Sequence, residues 1–143
     1  MTDQVCGLAV GHVATFTRAV TADVLRAFVA ASGDDHPLHA DPAYAARTRF
    51  GQPIVHGLLG ASLISAALGL ALGGAERVMV LAALDLRFRA PVRLGDTLTV
   101  TCTVTAADPE RSRITVTTTV ATQTGTVVIE GTATMLVERP APA

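Results

Sequence analysis

No charged residue occurs between positions 57 and 75 of this 143-residue chain. A run of that length approaches the roughly 20 apolar residues of a membrane-spanning helix. It also contains Gly57, Gly60, Gly69, Gly73 and Gly74, with Ser62 and Ser65. Its flanks lack the basic and aromatic anchors of a membrane interface. The better expectation is a helix apolar all round, buried at the centre of a soluble fold. The rest of the chain must then supply the wrapping.

The rest of the chain reads that way. Residues 12–20 mix β-branched and polar side chains and predict a strand. Thr21 is a helix cap, Asp23 suits the first turn, and Val24, Leu25, Phe28 and Val29 share one helical face that stops near Gly33. Residues 34–40 form a polar, proline-containing loop. Asp41-Pro42 opens a short helix with Asp as cap and Pro at the first position. Gly51-Gln52-Pro53 breaks the chain, and the apolar helix runs from His56-Gly57 to the Gly73-Gly74 pair.

Beyond it, Leu84, Leu86 and Phe88 alternate with Asp85, Arg87 and Arg89, the pattern of a half-buried strand. Threonine- and valine-rich strands follow over 97–105, 114–122 and 127–137. Hairpin-linked strands imply an antiparallel sheet. One face needs cover, and the charge-free helix supplies it. The fold class expected is α+β, a sheet around one central helix, in a single domain over residues 1–143.

Composition narrows the function. Net charge is -1 and aromatics make up 3%, so neither a basic footprint nor stacking platforms for nucleic acid are present. Every basic side chain except histidine is Arg, which removes Schiff-base chemistry and a P-loop lysine. Cys6 and Cys102 lack metal-like spacing and are expected to be free thiols. Asp3 precedes any basic residue and no signal-peptide pattern follows, so a cytoplasmic location is expected.

Chemistry-bearing side chains concentrate in two places. Ser32-Gly33-Asp34-Asp35-His36-Pro37-Leu38-His39-Ala40-Asp41 packs carboxylates and imidazoles into one loop, and Pro53-Ile54-Val55-His56-Gly57 opens the apolar helix. A metal site built on His36, His39 and Asp34 or Asp35 lacks a further ligand at a known spacing, so no metal is expected. Turn formation and capping suffice for Asp35 and Asp41. Asp34 with His39 suits acid–base chemistry, since imidazole titrates near neutral pH and a carboxylate raises its basicity. The His56-Gly57 helix start offers unpaired N–H groups at a positive dipole end, where a glycine permits close approach of an oxyanion. His56 itself is expected to be structural or capping.

These residues resemble the MaoC-like, R-specific enoyl-CoA hydratases, a family with the hot-dog fold. The resemblance rests on Asp34-x-x-Pro37-Leu38-His39-x-Asp41, Tyr44-Ala45, Thr48-x-Phe50-Gly51 and Pro53-Ile54-Val55-His56-Gly57. It continues through Phe88-x-x-Pro91-Val92 and Gly95-Asp96. It implies that Asp34 and His39 hold and activate the water that attacks C3 of a trans-2-enoyl thioester, giving an R-3-hydroxyacyl product. It implies that the Gly57 N–H binds the thioester oxygen, that Ser65 lies near the reacting end of the pocket, and that the protein is a homodimer. Where the family commonly has Asn, this chain has His36, which is expected to occupy the same slot beside the substrate. Leu59 and Leu63 are expected to line the acyl pocket. No cofactor is implied beyond the coenzyme A of the substrate.

Two other readings stay open. A dehydratase working on carrier-protein-bound or specialised-metabolite intermediates would use the same residues. A non-catalytic acyl-thioester-binding module would keep the fold. A hot-dog thioesterase fits less well, because such enzymes use a carboxylate on or near the central helix and this helix has none.

Overall fold

A computed structural model describes residues 3–143. A small antiparallel hairpin of β1 (Gln4–Val5) and β2 (Leu8–Ala9) leads into β3 (Val13–Ala19). The Thr21 hydroxyl accepts a hydrogen bond from the Val24 N–H at 3.2 Å and starts α1 (Ala22–Ser32). That helix stops at Gly33, whose φ of 77° lies in the left-handed region that glycine adopts without strain.

The polar loop expected over 34–40 contains a one-turn helix, α2 (Pro37–Ala40), with the His36 Nδ1 accepting from the Leu38 N–H at 3.1 Å. A second turn, α3 (Pro42–Ala45), is capped by the Asp41 carboxylate. Both use an acceptor side chain followed by proline, which fixes φ and has no N–H to lose.

The central helix α4 (Gly57–Ala66) begins after His56 and loosens into a π-helix over Ala67–Gly73. Four strands then run in series: β4 (Val78–Phe88), β5 (Thr97–Asp108), β6 (Arg113–Ala121) and β7 (Val127–Glu138). With β3 they form one antiparallel five-stranded sheet in the order β3-β5-β6-β7-β4.

Alternation builds the core. Val100, Cys102 and Val104 of β5, Ile114, Val116, Thr118 and Val120 of β6, and Ile129, Ala133 and Met135 of β7 turn inward, while the threonines at alternate positions face out. They meet Leu59, Leu63, Ile64, Leu68 and Leu72 from the helix. Each fully buried Val, Leu, Ile or Met among them contributes about 1.5–3 kcal/mol.

The helix is not buried all round. Leu58, Ser62 and Ser65, spaced i, i+4, i+7, form an exposed stripe, with Leu58 68% exposed. The half-burial expected for β4 also differs. Only Leu86 of the three expected inward residues is packed against the core, whereas Leu84 and Phe88 are exposed. β4 is a sheet edge, and a single helix is too narrow to cover it.

The connection from α3 to α4 is fastened to the turn after β4. The Val55 N–H donates to the Val92 carbonyl at 2.8 Å. The Arg93 guanidinium donates to the carbonyls of Phe50 and Gln52 at 3.1 and 3.0 Å. Among the described residues, no helix is long and apolar enough to cross a membrane.

Candidate active site

The α1 terminus, the two capped turns and the α4 start bring Asp34, His39 and His56 together. A carboxylate oxygen of Asp34 and one ring nitrogen from each histidine all lie within 4.8 Å of one another. Local bonding holds Asp34: its N–H donates to the Ser32 hydroxyl, and its carboxylate accepts from the His36 N–H at 3.2 Å. The His39 Nδ1–H donates to the Ile54 carbonyl at 2.7 Å. That bond fixes the tautomer, leaving the Nε2 lone pair to accept a proton.

His56 is buried, and its ring stacks on that of His39 with centroids 3.7 Å apart and planes at 25°. Its Nε2–H donates to the Asp34 carbonyl at 2.9 Å. The trio has the spacing of metal ligands, but stacked rings carry in-plane lone pairs that run side by side. A tetrahedral ion needs them to converge.

Asp34, His39, His56 and Gly57 line one cavity of about 500 Å³, walled by Phe28 and Phe88. A second cavity of about 370 Å³ shares His56, Gly57 and Phe88 with it. This one is walled by Val55, Gly60, Val92 and Ile129, and has Arg49 and Arg89 at its rim. The two cavities meet at the α4 start. Helical bonding there begins with the Leu59 and Gly60 N–H groups, which donate to the His56 carbonyl. The Gly57 N–H is one of the first-turn donors a helix leaves unpaired. A Cβ on Gly57 would lie 3.0 Å from the Phe88 ring, which would have to shift to make room for it.

Asp34, His39 and Gly57 thus come together around one space. The other expected residues do not. Leu59 and Leu63 are buried among core side chains and line neither cavity; Gly60 is the α4 residue that faces the second one. Ser65 lies on the exposed stripe, about 12 Å along the helix from Gly57 at 1.5 Å per residue, outside both cavities. His36 also lies outside them, with its ring edge-on to Tyr44 and its Nδ1 engaged as a cap. His56, expected as a structural or capping residue, makes no side-chain cap bond; its Nε2–H holds the Asp34 carbonyl and its ring lies on His39. The Arg89 guanidinium is paired with Glu130 at 2.8 Å.

A sheet wrapped on one central helix defines a hot-dog domain, and here a carboxylate and two imidazoles gather beside that helix's amino end. The MaoC like domain matches residues 9–126, and the chain belongs to that family. It is 42% identical over 127 residues to an (R)-specific enoyl-CoA hydratase of Rhodospirillum rubrum, covering 89% of this chain and 86% of that one. It is 41% identical to an (R)-specific enoyl-CoA hydratase of Aeromonas caviae, covering 88% of this chain and 92% of the relative. The solved structure of an (R)-hydratase from A. caviae involved in PHA biosynthesis superimposes with a TM-score of 0.84 at 40% identity. It covers 94% of this chain and 99% of that one.

Proposed function

We propose that this protein adds water reversibly across the double bond of trans-2-enoyl-CoA, forming (R)-3-hydroxyacyl-CoA. The observation that carries this reading is the placement of the Asp34 carboxylate within 4.8 Å of a His39 ring nitrogen, in a cavity shared with Gly57. One water spans such a gap when each group holds it at about 2.8 Å.

The chemistry follows from that placement. The thioester carbonyl sits on the Gly57 N–H, with the enoyl carbons between it and the Asp34/His39 pair. His39 Nε2 takes a proton from the water as its oxygen bonds to C3. The displaced π electrons move onto the thioester oxygen, where the helix N-terminus stabilises the enolate. The enolate then collapses, and C2 takes the proton that His39 had accepted, handed on through Asp34, so that both groups return to their starting states. The net change is H at C2 and OH at C3. The residues supply this without a further cofactor.

We also propose a homodimer. Leu81 and Leu84 on the helix-side face of the β4 edge, with Leu58 on α4, are apolar and uncovered in one chain. An unpaired apolar edge strand is a template for a second copy. A partner across this face would cover the stripe that carries Ser65.

The test follows loss of enoyl absorbance with crotonyl-CoA and longer enoyl-CoAs, with chiral analysis of the product. Hydration to the R product is expected. No turnover across the series, with binding retained, would leave an acyl-thioester-binding module instead. Turnover restricted to carrier-protein thioesters would assign the dehydratase of carrier-bound intermediates.

A further inference from the structure

We infer that His56 is a positioning residue for the Asp34/His39 pair, an inference that rests on the hydratase reading above. One buried side chain touches both partners. Its ring face lies against the His39 imidazole at 3.7 Å, and its Nε2–H holds the Asp34 carbonyl at 2.9 Å across 22 residues of sequence. Phe28 packs against the same ring, tilted, with centroids 4.9 Å apart. Its own carbonyl accepts the first hydrogen bonds of α4, the helix that presents the Gly57 N–H. A displacement of His56 therefore moves acid, base and oxyanion donor together.

The remaining ring atom argues that this role is functional. With Nε2 donating, Nδ1 is a lone-pair acceptor, and it is buried with no partner among the described residues. Burying an unpaired acceptor lowers stability. An apolar ring would fill the space without that loss, and a helix cap would bond the first-turn N–H groups, which this side chain does not. What histidine alone adds is an N–H on a flat ring.

His56→Phe keeps a ring and removes both the tether and the orphan acceptor. His56→Gln keeps a side-chain N–H and removes the ring face. In the Phe variant kcat is expected to fall about tenfold or more with KM little changed, as misplacement of reacting groups does. Its Tm is expected to match or exceed that of the parent. The Gln variant is expected to recover part of kcat. Hydrogen exchange at the His36 amide, which donates to the Asp34 carboxylate, reads the tether without turnover, and is expected to quicken in the Phe variant and stay near the parent rate in the Gln variant. Parental kcat in the Phe variant, or equal exchange in all three proteins, would overturn the inference. If the parent hydrates no enoyl thioester, the hydratase reading fails, and the exchange comparison still decides whether His56 holds the Asp34 loop.

Discussion

The His39 Nδ1–H and the Ile54 carbonyl meet at 2.7 Å, joining the turn that carries the base to the segment that opens the central helix. The bond orients the ring and leaves the other nitrogen free for water. His39→Gln and Asp34→Asn should each lower kcat about a hundredfold or more, the usual weight of an acid–base group. Circular dichroism should show the fold retained. Full turnover in either variant, followed at the enoyl absorbance, removes that residue from the mechanism.

Gly57→Ala tests the helix start. The added methyl would press on the Phe88 ring at 3.0 Å. A loss of about tenfold or more in kcat/KM is expected if the N–H there stabilises the enolate. Pairing it with Phe88→Leu relieves the crowding. Partial recovery in the double variant would trace the loss to that contact.

His36 offers a contrast between capping and substrate contact. Its Nδ1 accepts from the Leu38 N–H, with Asp34, His39 and Tyr44 around it. Asn can accept in the same place, so His36→Asn should keep most activity, whereas His36→Leu loses a cap worth about 1 kcal/mol and loosens the turn bearing His39. Equal melting temperatures in the parent and the Leu variant would rule out a capping role.

Cys102 sets an alkaline weakness. It is buried in β5, and burial pushes its thiol up to about 11 from 9.0. Below pH 9.0 both folded and unfolded chains keep the proton, and nothing is lost. Between 9.0 and about 11 the unfolded chain ionises first, so stability falls as pH rises. Denaturant melts of Cys102→Ala should lack that decline. A parallel decline in both proteins would assign it elsewhere.

The β4 edge can be charged without touching the core. Leu81→Lys with Leu84→Lys places two ammonium groups on exposed positions of one face. The parent is expected to run as a dimer in light scattering and the double variant as a monomer. A parent that is monomeric at assay concentration would remove the dimer.

Much of this was legible in the chain. Thr21 and Asp41-Pro42 marked helix starts, and the threonine–valine alternation marked β5, β6 and β7. The same cap-then-proline rule applied to His36-Pro37 would have found α2, where a loop was expected. Spacing alone could not place His56 on His39, because stacking across 17 positions is set by tertiary packing and not by helix or strand period. Nor could alternation reveal the exposure of Leu84 and Phe88. A period of two says which residues share a face, while cover depends on the strand's place in the sheet order.

The fastening of residues 46–56 by Val92 and Arg93 limits how this scaffold can change its choice of acyl group. An insertion or deletion in that connection would pull the Gly57 donor out of line, because both ends of the segment answer to fixed backbone partners. Altered substrate range is therefore more accessible through wall volume at Gly60, Val92 or Ile129 than through remodelled loops.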